Sequence, residues 1–275
     1  MQRAGASMRA YAIRDDLYPG KNLAYLIYYE KEKQFYIEID DTADEWELPV
    51  SLSPFLKKGI RSINSYWSRV WVQQRIVPTD RQNIGHILRD NGLKEYDDFR
   101  LLVISGGRCA QDSCYIASVE EKILNIVLEK RFRRKIDSAV PAGKDTLLVF
   151  FKDGKTKKCN IKKIAGADRG YAFLEENEEY FKNVEMQPGG NGVKWGNIFE
   201  LSYEQLYQAG EELKLSYEEF VCCIRNGLVN TAEAAQMLGC SRQNIDDLAK
   251  RGKLVPVKKT ARDRLFLAGD IKKRL

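Results

Sequence analysis

Residues 230–275 read NTAEAAQMLGCSRQNIDDLAKRGKLVPVKKTARDRLFLAGDIKKRL. The pattern predicts a short helix after Asn230, a tight turn at Gly239 and Cys240, a second helix after Ser241, and a basic hairpin beyond Gly252. Asn230 is placed to cap the first helix, with Glu233 three residues on as the reciprocal acid. Ala234, Ala235 and Leu238 form its inward side, where small residues let a second helix approach closely. Gly239 permits the sharp turn, and Ser241 is placed to cap the next helix. In that helix Ile245, Leu248 and Ala249 make the buried stripe. A step of about 100° per residue sends Gln243, Asp247, Lys250 and Arg251 to the opposite face, with Arg242 and Asn244 flanking them. The run LVPVKKTARDRLFLAGDI predicts two short strands around a basic turn that carries Lys258, Lys259, Arg262 and Arg264, then a last short helix from Asp270.

Charge singles out the same segment. Residues 229–275 hold eleven Lys/Arg and five Asp/Glu, an excess of six; the chain of 275 residues holds 45 and 39, the same excess. The remainder therefore balances at 34 of each sign. A neutral body joined to one small cationic end points to a polyanion-binding module on a carrier of different purpose. Gln, Asn and Arg on an exposed helix face match base edges in the major groove, and wing lysines and arginines suit backbone phosphates. The candidate DNA contacts are Ser241, Arg242, Gln243, Asn244, Asp247, Lys250, Arg251, Lys258, Lys259, Arg262 and Arg264. Asp247 either accepts from a cytosine amino group or repels phosphate and limits non-specific binding.

Particular residues also carry a likeness. Thr231-Ala232-Glu233-Ala234-Ala235 opens the segment, Leu238-Gly239 makes the turn, Ser241 gives the second cap, and Leu248 through Leu254 reads L-x-x-x-G-x-L. On these the segment resembles the MerR-like and excisionase-like winged helix-turn-helix families. The resemblance implies binding of double-stranded DNA by the second helix and wing, commonly as a homodimer. The final helix is short and lacks the long coiled coil of MerR regulators, so a dimer contact would lie elsewhere.

The body is less explicit. With 44% hydrophobic and 11% aromatic residues the chain has material for packed cores, and its 31% charged residues are mixed in sign. The expected fold class is α+β and multidomain. It comprises a mixed α/β domain at 8–119, a small hairpin-rich α+β domain at 120–210, a linker helix at 211–228, and the winged helix-turn-helix at 229–275. Residues 23–39 predict two strands around the polar turn 30–33, and 52–60 a short helix. Residues 63–76 alternate partly. Thr79 or Asp80 is placed to cap a helix over 81–91, stopped by Gly92. FRLLVI at 99–104 predicts a buried strand, and a further strand follows near 115–119. Asp153-Gly154, between two strand patterns, suits a type I′ hairpin turn. Residues 175–182 suggest a short acidic helix or loop, 181–201 two strands around a glycine-rich turn, and 202–207 a helix start. The elements at 149–161, 188–195 and 201–207 (a DG-turn hairpin, a proline-glycine turn before a tryptophan strand, and L-S-x-E-x-L-Y) resemble a small bacterial domain family of unknown function. Members of that family occur beside toxin genes or fused to helix-turn-helix domains. In 211–227, Leu213, Tyr217, Phe220, Val221 and Ile224 share a helical face, which serves either packing onto a neighbour or a dimer seam.

Chemistry is sparse. His86 is the only histidine, and Cys109 and Cys114 lie close enough to share a role; a zinc site would need more ligands. No catalytic residue, metal ligand or cofactor site is expected, and GGNG at 189–192 lacks the lysine a phosphate cradle requires. RQNI recurs at 81–84, Trp67 and Trp71 interleave with Arg69 and Arg75, and KRFRRK spans 130–135. Chance, core packing and a solvated helix end respectively are the plainer explanations. No apolar run reaches the length of a membrane helix. The start has no apolar core of a secretory signal, and Met8 stands as an alternative first residue. The resulting expectation is a cytoplasmic, sequence-specific transcriptional regulator that reads an operator, one version being an autoregulating, antitoxin-like repressor. A protein partner would bind through 8–210. The alternative is an interaction adaptor whose basic end only localises it to nucleic acid.

Overall fold

The structure is a computed structural model describing residues 8–272 and 274. The fold is α+β, with 37% of residues helical and 26% in strands. The chain divides into two compact units. One holds residues 1–153 and 159–210; the other holds 154–158 and 211–275. Residues 8–119 and, apart from 154–158, 120–210, read from sequence as two domains, fall in the first unit.

In that unit, β1 (Met8–Asp15), β2 (Ala24–Tyr29) and β3 (Gln34–Ile39) run antiparallel. After them come α1 (Ser53–Lys57), β4 (Ser62–Ile63), α2 (Ser65–Gln73), α3 (Ile84–Asp90), α4 (Asp98–Ile104) and β5 (Cys114–Val119). The strands form one sheet in the order β4-β3-β2-β1-β5. Alternation along β2 divides its side chains between two cores. Ala24, Leu26 and Tyr28 pack with Trp71, Val72 and Leu102 on one face, and Tyr25, Ile27 and Tyr29 pack with Leu124 and Leu128 on the other. That is why all six of its residues are buried.

Two segments differ from the sequence expectation. FRLLVI is a helix, not a strand: the Asp97 carboxylate accepts from Arg100 N at 2.9 Å, and Leu101 and Leu102 are buried while Val103 and Ile104 are exposed. A short apolar run has no period of its own, so the cap decides. Residues 65–73, which alternate only partly, are likewise a helix, started by Asn64 accepting from Trp67 N at 3.1 Å. The helix expected over 81–91 begins only at Ile84, with Asn83 rather than Thr79 or Asp80 before it.

Next come α5 (Glu121–Val127), α6 (Glu129–Arg133), β6 (Ile136–Gly143), β7 (Thr146–Phe151) and β8 (Thr156–Asn160). Between β7 and β8, Gly154 has φ +85° but Asp153 is not in the left-handed region, so the turn is not type I′. The first unit continues with α7 (Ile161–Ala165), α8 (Arg169–Glu176), α9 (Glu178–Lys182), β9 (Glu185–Met186), β10 (Gly192–Trp195), β11 (Phe199–Ser202) and α10 (Tyr203–Ala209). β9, β10 and β11 make a three-stranded antiparallel sheet, one strand more than expected. Ser202 and Gln205 form a capping box at α10. The core here gathers Ile136, Val149, Phe181, Val193, Trp195 and Leu206.

A buried charged network links these parts of the unit. Glu38 on β3 and Lys135 before β6 are each 1% exposed, and their charged atoms lie 2.9 Å apart. Glu38 also accepts from Ser62 Oγ at 2.6 Å and Arg131 Nη1 at 3.3 Å, and Lys135 donates to Asn191 Oδ1 at 2.7 Å. Pairing on this scale is what makes burial of such charges tolerable.

The second unit contains β12 (Glu211–Leu213), which pairs antiparallel with residues 156–158 of β8. Then follow α11 (Tyr217–Gly227), β13 (Leu228–Asn230), α12 (Thr231–Met237), α13 (Arg242–Lys250), β14 (Lys258–Lys259), β15 (Arg264–Leu267) and α14 (Ala268–Lys272). The single linker helix expected over 211–228 is therefore a strand and a helix, separated at Ser216, which caps α11 with Glu219. None of the residues of α11 is fully buried.

Candidate nucleic-acid interface

The two helices at the centre of the second unit start as the sequence predicts. Asn230 Oδ1 accepts from Glu233 N at 2.9 Å, and Glu233 Oε2 accepts from Asn230 N at 2.8 Å. Gly239 takes φ +61°, a conformation an L side chain rarely adopts, and so lets the chain reverse between α12 and α13. Ser241 Oγ accepts from Asn244 N at 3.2 Å to start α13. Ala234, Ala235 and Ile245 are buried with Leu254, Phe266 and Ile271, and Leu238, Leu248 and Ala249 pack against them.

The outer face carries the polar groups. Ser241, Arg242, Gln243, Asn244, Lys250 and Arg251 are exposed. Asp247 is half-buried, with its carboxylate 3.9 Å from Lys250 Nζ. Lys258 and Lys259 lie exposed on β14, and Arg262 is exposed in the turn that follows. The wing is a three-stranded sheet, β13-β15-β14, with Leu228 opposite Leu267 and Lys259 opposite Arg264. β13 was not expected from sequence; it ties the start of the helical pair to the wing.

Two acids hold the wing against the helices, and neither was foreseen. Asp263 Oδ1 accepts from Thr231 Oγ1 at 2.6 Å, from Thr231 N at 3.3 Å and from Arg264 N at 2.7 Å. Thr260 and Asp263 close the turn by reciprocal bonds of 2.8 to 2.9 Å. The Thr231 hydroxyl first, and then the Arg264 amide, hold the Asp263 carboxyl below its ordinary value, with the charge of Arg242 adding to them. Asp246 on α13 pairs with Arg264. Arg264, read from sequence as a phosphate contact, is thus half-buried and engaged within the unit. The cleft between the start of α13 and the wing turn has a volume of about 360 Å³; Arg242, Asp246, Arg262 and Asp263 are among its lining residues. Asp263 lies 32 residues from Thr231 and Asp246 lies 18 from Arg264, beyond any local spacing rule.

Residues 228–275 match a protein-family model described as a helix-turn-helix domain. No curated protein and no solved structure matches the chain. DNA is the partner that a helix-turn-helix domain indicates. The match supports the C-terminal resemblance at that level, and no family match supports the likeness read on 149–161, 188–195 and 201–207. Among the described residues, no helix is long and apolar enough to cross a membrane.

The other sequence candidates do not converge on a site. His86 is exposed on α3, 3.1 Å from Arg89 Nη2. The Cys114 thiol is buried, 3.5 Å from Asp15; burial first and the nearby carboxylates second push it far above the ordinary thiol range, which disfavours a reactive thiolate. Trp71 is buried with the Arg75 guanidinium 3.7 Å from its ring centre, and Arg75 pairs with Asp112 at 2.5 Å. Within KRFRRK, Arg131 pairs with Glu38 and Asp41 and Lys135 is interior, while Lys130, Arg133 and Arg134 are exposed. Among the described residues, no three His, Cys, Asp or Glu are grouped to hold a metal ion.

Proposed function

We propose that this protein is a sequence-specific DNA-binding transcriptional regulator acting in the cytoplasm, without enzymatic activity of its own. The observation that carries the reading is the exposed set Arg242, Gln243 and Asn244 at the capped start of α13, together with the exposed cations Lys258, Lys259 and Arg262 on the wing. Gln and Asn offer paired donors and acceptors to adenine, Arg suits guanine, and the wing cations suit the phosphate backbone whatever the sequence. An operator with two half-sites would be read by a homodimer. An autoregulating repressor of the antitoxin kind is one concrete form, with the body holding a protein partner.

The test is a gel shift of the full chain on its own promoter, against random DNA of equal length, across a salt series. The expected result is tighter binding to the promoter, a preference weakened by Gln243→Ala. Equal binding to both DNAs at every salt concentration would sink the operator reading. The second reading is an adaptor that binds a protein through the body. It is favoured by Ile123, Ile126 and Val127 on α5, which are 52%, 75% and 42% exposed, an apolar display typical of docking surfaces. Under it, promoter and random DNA would bind alike, and loss of DNA binding would leave partner capture intact.

A further inference from the structure

Within the first unit, an open cavity of about 460 Å³ is walled by α5 and α6 on one side and by Met8, Tyr29, Lys152 and Gly189 on the other. Its size is that of an ordinary small-ligand site. Two hydrogen-bond donors meet at one point of its wall. Lys152 Nζ donates to the Gly189 carbonyl at 2.9 Å, and no carboxylate among the described residues lies within 4.0 Å of it. The Tyr29 hydroxyl accepts from Asn191 Nδ2 at 3.5 Å, which leaves its own proton to give. A Cβ at Gly189 would lie 1.8 Å from that hydroxyl, so the glycine keeps the phenol and the backbone in close approach. Gly189 also has φ +67°, a second reason for glycine there.

Two other cations line the cavity and each has an acid: Lys135 is held by Glu38 at 2.9 Å and Asn191 at 2.7 Å, and Arg133 lies 3.8 Å from Glu129. Lys152 therefore stands beside a like charge with no counter-ion of its own. Lys152 is itself an exposed residue; its pKa is lowered, by desolvation first and by repulsion from Lys135 second, with Asp137 pulling the other way. The remaining wall is mixed. Phe132 and Met8 offer apolar surface, and Glu121 and Glu129 lie at the exposed rim.

We propose that this cavity binds a small organic anion, a carboxylate carried on an apolar or aromatic body. The carboxylate would sit between Lys152 Nζ and the Tyr29 hydroxyl, and the apolar body would lie against Phe132 and Met8. An anion there supplies the counter-charge that Lys152 lacks and accepts a hydrogen bond from the Tyr29 hydroxyl. This is an effector-type site on the body, separate from the DNA-binding reading, and its test is made without DNA so that the two stand or fall apart.

The probe is 8-anilino-1-naphthalenesulfonate, titrated by fluorescence into the full chain and then displaced by benzoate, benzyl alcohol or inorganic phosphate. Saturable binding is expected, with benzoate displacing the probe far better than either competitor. Lys152→Met should weaken both the probe and benzoate about tenfold, the worth of a charge-assisted hydrogen bond, and Tyr29→Phe about threefold. Lys31→Ala, in the exposed turn between β2 and β3, should change neither. Benzyl alcohol matching benzoate would mean an apolar groove without anion recognition. Phosphate outcompeting benzoate would mean an inorganic-anion site. Either result overturns the proposal, as does unchanged benzoate affinity in Lys152→Met. Should that variant lose its native circular dichroism, Tyr29→Phe decides, and unchanged benzoate affinity there overturns the proposal equally.

Discussion

In the body, Glu38 and Lys135 are each 1% exposed and matched at 2.9 Å; in the helix-turn-helix domain, Lys258, Lys259 and Arg262 lie open to water with no acid among the described residues paired to them. Both regions use ionised side chains, yet the physical result is opposite. Interior charges are held by fixed partners, so their geometry is rigid and their removal is costly. Exposed cations are weakly held and contribute through their field, which a polyanion can use and salt can screen. The body's balance of 34 basic and 34 acidic residues and the C-terminal excess of six are the sequence trace of that division.

The strongest way to break the comparison is to remove one interior partner. Glu38→Gln leaves the Lys135 ammonium buried without its counter-charge and should cost about 3–5 kcal/mol. All four tryptophans, Trp46, Trp67, Trp71 and Trp195, belong to the body, so urea unfolding followed by tryptophan fluorescence reads that unit. Lys135→Met should be similarly harmful, and the double variant should recover part of the loss. A single variant as stable as the parent would show that the pair is not held as described.

The C-terminal face is sharpened by separating its two kinds of contact. Gln243→Ala should reduce the promoter-to-random preference by about 1–3 kcal/mol and leave the salt slope alone. Lys258→Ala with Lys259→Ala should lower the slope by about 1 for each lysine, equally on both DNAs. Gel shifts at several salt concentrations read both quantities. Equal losses on promoter and random DNA for Gln243→Ala would remove base reading from α13.

The legibility of these regions follows the range of the interactions that build them. Asn230, Glu233, Gly239 and Ser241 act within three or four residues, so their roles could be read directly, and so could the strands on either side of the turn before Gln34. FRLLVI misled because its apolar run hid a helix whose cap, Asp97, lay just outside it. MRAYAIRD went unread, although β2 and β5 place it inside the sheet: β2 follows closely, but β5, which covers its other edge, lies about a hundred residues on. The Thr231–Asp263 and Asp246–Arg264 contacts, the Glu38 network and the Tyr29–Gly189–Lys152 corner all join distant segments. No periodicity or motif signals them.

A smaller effect tests how the wing is held. Thr231→Val keeps the shape of the side chain but loses the hydroxyl bond to Asp263, and should cost about 1 kcal/mol. Asp263 has a depressed pKa, so its contribution is present above the ordinary carboxylate range and fades as pH falls through the lowered folded value. Hydrogen exchange at the amides of α12, followed as pH falls, should show an acid-sensitive loss of protection in the parent, and a weaker one in Asp263→Asn. Identical pH profiles would mean that Asp263 does not hold the wing.

The smallest effect runs the other way in pH, and it belongs to the body. Glu204 lies half-buried next to Tyr203, whose hydroxyl donates to it at 3.3 Å. Desolvation first, and the neighbouring charge of Glu38 second, raise its pKa above the ordinary 4.5, although Tyr203 and Arg131 pull back. An acid with a raised folded pKa binds its proton more tightly in the native state. Its favourable contribution is complete below the unfolded value and is lost as pH rises through the folded one. Ionised Glu204 is therefore a burden at neutral pH, and Glu204→Gln, which keeps an acceptor for Tyr203, should relieve it. The variant should match the parent near pH 4 and melt about 2 °C higher at pH 7, a gain below ~1 kcal/mol. A variant less stable than the parent at pH 7 would mean that Arg131 outweighs desolvation at this carboxylate, and that the body's interior favours the charge it encloses even beyond the Glu38–Lys135 pair.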